Sequence, residues 1–189
     1  TIDSRMQRYA KEAVKNNFSD LQKKFLKKKK GKRNAPFSSD VTTEEVKKII
    51  QQSIKQTDRY RIMKKNHASD NEIEKAFNTP VEMTVFSWEG EKDTIMTPID
   101  SIYYHKHFLR CGFMSMDPTC GFVKAYVGGP NFSYFQYDMA TVGRRQVGST
   151  IKPYLYTLAM NEGFWPCDKT INQEITLYDA LGREYTPRN

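Results

Sequence analysis

Ser149 and Lys152 stand three residues apart in "QVGSTIKPYLYTLAMNEG", Gln146 to Gly163. They lie just behind Gly148, where the spacing predicts the first turn of a helix. Residues at i and i+3 share a helix face, so the hydroxyl and the amine can meet. A serine hydroxyl is a poor nucleophile until a base takes its proton, and an amine can be that base only when uncharged. A free lysine has a pKa of about 10.4, so holding it neutral near pH 7 costs roughly 4 kcal/mol. Burial and a neighbouring second cation supply such a shift. The first-turn N–H groups and the positive end of the helix dipole favour a developing oxyanion. Together these groups form the machinery of acyl transfer through a serine. The competing reading is ordinary helix capping, and a lone Ser-x-x-Lys arises roughly once by chance in a chain this rich in both residues.

Other chemistry-bearing residues are less suggestive. His105 and His107 are two apart, so they do not share a helix face, and no carboxylate or cysteine is suitably spaced to complete a metal site. Cys111, Cys120 and Cys167 match no zinc pattern. Cys120 is expected at a hairpin tip with Cys111 up the preceding strand, beyond disulfide reach, and all three read as small hydrophobes. Arg144 and Arg145 read as ion-pair partners. "PNFSYFQY" either lines a binding groove or packs over the core. No metal and no cofactor is expected.

These residues need elements to hold them. The 189 residues suffice for one ordinary domain or two small ones. With 38% hydrophobic and 28% charged residues, a packed core under a heavily charged surface is expected. The net charge of +8 and pI of about 9.3 suit an anionic partner, with plain solvated lysine as the alternative. No apolar run approaches the ~18 residues of a membrane span. The polar, periodic start "TIDSRMQRYA" reads as a helix and not as a secretion signal. Both ends read as cut from something longer.

Asp3 or Ser4 can cap a first helix, with Met6, Ala10, Ala13, Val14, Leu21 and Phe25 as its apolar stripe. That helix is expected to dissolve in "KKFLKKKKGKRNAPFSS", where like charges repel and Gly31 and Pro36 break what remains. Thr42 with Glu45, and Ser69 with Glu72, are capping boxes. The first precedes a stripe of Val46, Ile49, Ile50 and Ile54, and the second precedes Ile73, Ala76 and Phe77. At Pro80 the character changes. Two strands fold around Glu89-Gly90, and Thr97-Pro98 opens a short helix. Phe113–Met116 pairs with Phe122–Val127 across Asp117-Pro118-Thr119-Cys120-Gly121. The helix behind Gly148 carries Ile151, Leu155, Leu158 and Ala159 on one side and stops at Gly163. A last hairpin is expected in "EITLYDALGREYT".

From Gly112 to Met160 the chain resembles the transpeptidase domain of class A penicillin-binding proteins. The pieces that carry the resemblance are "GFMSMDPTCGFVKAYVGG", "FSYFQYDMAT" and "RRQVGSTIKPYLYTLAM". At the start, "TIDSRMQRYAKEAV" is similar to the segment leaving the family's glycosyltransferase domain. Val147 stands where the family usually has proline, Thr119-Cys120 replaces the usual pair before Gly121, and Asp138-Met139 stands where Asn-Arg is common. The basic helical stretch from about Asn17 to Pro80 is unlike the better-known members.

The resemblance implies an α+β fold. Residues 1–79 would form a basic helical linker region between glycosyltransferase and transpeptidase. Residues 80–189 would be the N-terminal part of a β-lactamase-like transpeptidase domain. It implies Ser149 as the acylated nucleophile and Lys152 as its general base. The family completes its site with Ser-x-Asn and Lys-Thr-Gly, and neither follows Lys152 here, since Lys169-Thr170 runs into Ile171. The parent protein is therefore expected to cross-link peptidoglycan stem peptides ending in D-Ala-D-Ala, and to be acylated by β-lactams. It would act at the extracytoplasmic face of the membrane, while the piece itself is soluble and holds half a site. Two alternatives stay open: another acyl-serine protein, such as a β-lactamase or penicillin sensor, and a non-catalytic basic binding module.

The lysine run from Lys23 to Arg33 has three readings. Phe25 and Phe37 could stack on bases beside it, it could be a flexible solvated connector, or, as the resemblance implies, it could meet anionic lipid. The connector is the favoured reading, and no nucleic acid is expected.

Overall fold

The computed structural model describes residues 2–32, 34–169, 171 and 173–187. They build an α+β architecture in two compact units, Thr1–Arg144 and Arg145–Asn189.

Helix α1 spans Ser4–Lys29. It starts where Asp3 Oδ1 accepts the N–H groups of Arg5 at 2.9 Å and Met6 at 3.0 Å, satisfying two of the free donors of a helix start. The helix does not dissolve at the lysines but runs through them to Lys29. Lysine is a good helix former, and Lys27, Lys28 and Lys29 sit in the last turn, where the dipole favours cations. The buried face also differs from the expected stripe. It runs Ala10, Val14, Phe18, Gln22, whereas Met6 and Leu21 are exposed. A polar residue occupies the last inward position, so apolar periodicity selected its neighbour instead.

Helices α2 (Thr43–Gln56), α3 (Asp58–Lys65) and α4 (Asp70–Asn78) follow. Both expected capping boxes form, and they start α2 and α4. Val46 and Ile50 of α2 and Ile73 and Phe77 of α4 are buried. Strands β1 (Val81–Ser87) and β2 (Gly90–Met96) pair antiparallel from Val81↔Met96 to Ser87↔Gly90. Helix α5 (Pro98–Lys106) is capped by Thr97 and ends sooner than "IDSIYYHKHFLR" suggests. Both α2 and α4 pack on α5, so contacts run across the change of character at Pro80.

Strands β3 (Phe113–Met116) and β4 (Val123–Val127) pair from Phe113↔Val127, with a register shift between Ser115 and Met116. Helix α1 packs on β4, burying Ala10 and Val14 against Ala125 and Val127. Beside this contact lies an aromatic cluster of Phe86, Trp88 and Phe135, with Phe18, Phe108 and Tyr134 around it. The Phe86 ring meets those of Trp88, Phe108 and Phe135 edge-on at 5.1 to 5.3 Å, the geometry that aromatic quadrupoles favour.

Two glutamines bind α1 to the rest of this unit by standing in for backbone. The Gln7 amide donates to Tyr126 O at 2.7 Å and accepts from Tyr126 N–H at 2.8 Å, satisfying a β4 residue on its open side. Gln22, 4% exposed, donates to His107 O at 2.8 Å and accepts from Leu109 N–H at 2.9 Å. Sequence patterning offers no signal for either.

In the second unit, a 3₁₀ turn (Gly148–Ile151) leads into α6 (Lys152–Asn161). The hairpin of β5 (Leu177–Tyr178) and β6 (Glu184–Tyr185) forms as expected.

Candidate active site

The chain reaches Ser149 through Gly148, whose φ of +51° lies in the left-handed region that favours glycine. Open space surrounds that Cα, so the requirement is conformational and not steric. Ser149 is therefore not in the first α-helical turn but in the 3₁₀ turn ahead of it, and Lys152 is the first residue of α6. Side chains at i and i+3 eclipse in a 3₁₀ turn, so this winding puts Ser149 and Lys152 on the same side of the turn. The Lys152 N–H donates to the Ser149 carbonyl, closing the turn. Pro153 takes the second α6 position, where a missing N–H costs nothing.

The capping alternative finds no bond here. Neither the 3₁₀ turn nor α6 has a side-chain cap. The Thr150 hydroxyl is turned back to the Val147 carbonyl, while the Ser149 hydroxyl makes no hydrogen bond among the described residues. The first-turn N–H groups thus keep no side-chain acceptor, which is what an oxyanion would need. Ser149 and Lys152 are both exposed, and no hydrogen bond or ion pair joins or holds them among the described residues. The stretch has a hydroxyl, an amine and a helix start, but not the burial or second cation that would neutralise an amine.

Asp138, a departure from the family pattern in sequence, is a hub in the first unit. Its Oδ1 accepts the N–H groups of Ala140 at 2.8 Å and Thr141 at 3.1 Å, and its Oδ2 accepts the Tyr126 hydroxyl. The Tyr126 hydrogen bond, with those backbone donors behind it, holds the Asp138 carboxyl below its usual range. The same bond raises the Tyr126 phenol. The backbone at Met139–Ala140 in turn passes so close to Gly112 that a Cβ there would sit 2.6 Å from Ala140 N. The hairpin glycine of the motif is thus a close-approach glycine.

The remaining candidates resolve into structure. Phe135 is 3% exposed in the aromatic cluster, with the Arg110 guanidinium 4.0 Å above its ring, whereas Phe132 and Tyr137 stay exposed. His105 Nδ1 donates to Ser101 O at 2.7 Å, and His107 Nδ1 to Tyr103 O at 2.8 Å. Burial pushes His105 below the ordinary histidine range, and Arg110 adds to this. No group of three potential metal ligands occurs among the described residues. Cys120 does sit in the hairpin turn, but Cys120 and Cys167 are exposed and only Cys111 is partly buried, so two of the three are not interior hydrophobes. Neither Arg144 nor Arg145 enters an ion pair among the described residues.

Residues 32–109 match the family model for the penicillin-binding protein middle domain. This match takes in α2 to α5, and with them most of the basic stretch that sets the chain apart in sequence. The chain is 39% identical over 82 residues to penicillin-binding protein 2D of Bacillus subtilis (strain 168), covering 43% of this chain and 12% of that protein. It is 40% identical over 82 residues to penicillin-binding protein 1A of Escherichia coli (strain K12), 43% of this chain and 10% of the relative. Against penicillin-binding protein 1A of Vibrio cholerae the identity is 38% over 78 residues, 41% and 10%. These alignments span about a tenth of the relatives' length. No solved structure matches.

Proposed function

From the match of residues 32–109 to the penicillin-binding protein middle domain and the likeness to penicillin-binding proteins 2D and 1A, we propose that the chain is part of a membrane-anchored peptidoglycan synthase acting at the extracytoplasmic face. That synthase cross-links stem peptides by D,D-transpeptidation through Ser149 and also carries a glycosyltransferase domain. Lys152, uncharged, takes the Ser149 proton as Oγ attacks the carbonyl carbon of the penultimate D-Ala. The tetrahedral oxyanion leans on first-turn N–H groups. Its collapse breaks the peptide bond, and the terminal D-Ala leaves as an amine carrying the transferred proton. The amine of a second stem peptide then attacks the acyl-serine, forms the cross-link and restores the hydroxyl. A β-lactam enters by the same first step, but its leaving amine stays tethered.

The observation that carries this reading is the placement of Ser149. Its hydroxyl is left free of capping, behind a left-handed glycine, one turn from the Lys152 amine at a helix start. In the proposal, Ser-x-Asn and Lys-Thr-Gly segments from further along the synthase provide the second cation, the proton relay and the rest of the oxyanion site. Two experiments test it. A synthase containing this chain, incubated with fluorescent penicillin, should be labelled on the peptide that contains Ser149, and Ser149→Ala should abolish the label. The 189-residue chain alone should stay unlabelled. Labelling that survives in the Ser149→Ala synthase overturns the assignment, and strong labelling of the bare chain overturns the division of the site.

A further inference from the structure

We propose that the outward face of the last two turns of α1 is a docking surface for an anionic lipid bilayer. Turning ~100° per residue, the helix sets Lys23, Lys24, Lys27 and Lys28 on the side away from Gln22, whose amide is clamped to His107 and Leu109. All four lysines are exposed, and none is in an ion pair among the described residues. Exposed Lys30 and Lys32 prolong the positive surface. No carboxylate occurs between Asp20 and Asp40. The concentration is specific to this part of the chain: 20 basic and ten acidic residues precede Pro80, against ten basic and 12 acidic from there on.

The helix makes this a surface rather than a solvated connector. A coil would spread its charges, whereas α1 holds four ammonium groups on one side over about two turns, anchored from behind by Gln22. Three features select a bilayer over a nucleic acid. From Lys23 to Lys32 every basic residue is lysine, a mobile point charge suited to a field of headgroups and not to bidentate reading of a base or phosphate. Phe25 and Phe37 are partly buried, so neither ring is laid open for stacking on a base. Exposed Leu21 borders the lysines. At a membrane Leu21 can enter the headgroup layer while the lysine stems lie along it with their charges in water. This inference is independent of the acyl-transfer reading.

Co-sedimentation of the 189-residue chain with vesicles tests it. Vesicles of phosphatidylcholine with about 30 mol% phosphatidylglycerol should retain the chain, and vesicles of phosphatidylcholine alone should not. Raising salt from about 0.05 to 0.5 M should release it. The variant K23Q/K24Q/K27Q/K28Q should bind at least about tenfold more weakly. A charge-matched variant on α2 and α3, K47Q/K48Q/K55Q/K65Q, should keep more of the affinity. Both sets are exposed, and far-UV circular dichroism identifies any variant that loses helix. The proposal is overturned if the two variants lose binding equally, if phosphatidylcholine alone retains the chain as well, or if duplex DNA binds more tightly than the vesicles at the same salt.

Discussion

The two compact units use similar amino acids in opposite ways. Up to Arg144, three polar side chains reach into the fold and bond to backbone: Gln7 to Tyr126, Gln22 to His107 and Leu109, Tyr104 to Phe86. Their aromatic neighbours close into a cluster around Phe86. From Arg145 onward, every described residue is exposed except the half-buried Ala159. Leu155 is 55% exposed and Trp165 76%. The first unit has a core of its own, while the second displays the apolar pattern of a core helix without one. An apolar patch of this kind marks a surface meant to be covered. The unit that carries Ser149 and Lys152 is thus the one with the least to hold its chemistry in place.

The sharpest way to break this contrast is to truncate one large residue in each unit. Phe86→Ala removes the ring that touches Trp88, Phe108, Tyr134 and Phe135. It should destabilise the chain by about 3–5 kcal/mol, enough to unfold a marginal domain. Leu155→Ala, on the open face of α6, should change urea stability of the same chain by less than about 0.5 kcal/mol. Equal losses would show that the second unit has a core after all. In a full synthase the Leu155→Ala cost should rise to about 2–4 kcal/mol if the face is covered there.

The same contrast explains what the sequence made legible. Capping boxes at Thr42 and Ser69, the turn at Glu89-Gly90, and the hairpin around Asp117–Gly121 depend on residues a few positions apart, so local chemistry was enough to place them. Ser149 and Lys152 were singled out by their spacing for the same reason, although the 3₁₀ winding at Ser149 was not foreseen. What escaped was tertiary and polar. Gln22 sits where a hydrophobe was sought, because its 85-residue reach to His107 has no local sign. Asp138 could be noticed only as a departure from a pattern, since its partner Tyr126 is 12 residues away on β4. The lysines of α1 were given to a coil because their repulsion was weighed without the docking that Gln22 supplies.

That docking can be measured. Gln22→Ala leaves the His107 carbonyl and the Leu109 N–H without their partner, in a site where the glutamine is almost wholly enclosed. An unsatisfied buried group costs about 1–3 kcal/mol, so thermal stability should fall by about that amount. Amide exchange should quicken at Leu109 more than at Tyr126, whose partner is Gln7. Uniform acceleration at both amides would mean that α1 is held as a rigid whole and not by separate clamps.

The smallest expected effect concerns the acid limb. The folded state lowers Asp138 through the Tyr126 hydroxyl and the N–H groups of Thr141 and Ala140. A carboxyl depressed on folding binds protons more readily when unfolded, so its contribution is complete above the unfolded pKa, near 3.9, and is lost as pH falls through the lower folded value. Asp138→Asn should therefore make the decline of stability below about pH 4 shallower and leave its shape above pH 5 unchanged. Some decline must persist, because Asp3, Glu45, Glu72 and Asp117 are lowered by their own cap and turn hydrogen bonds. The group is only half-buried, so the difference will be modest. Its direction is nevertheless diagnostic. If the acid limb of Asp138→Asn overlays that of the parent chain, the Tyr126 bond does not favour the ionised carboxylate, and Asp138 holds its loop by shape alone.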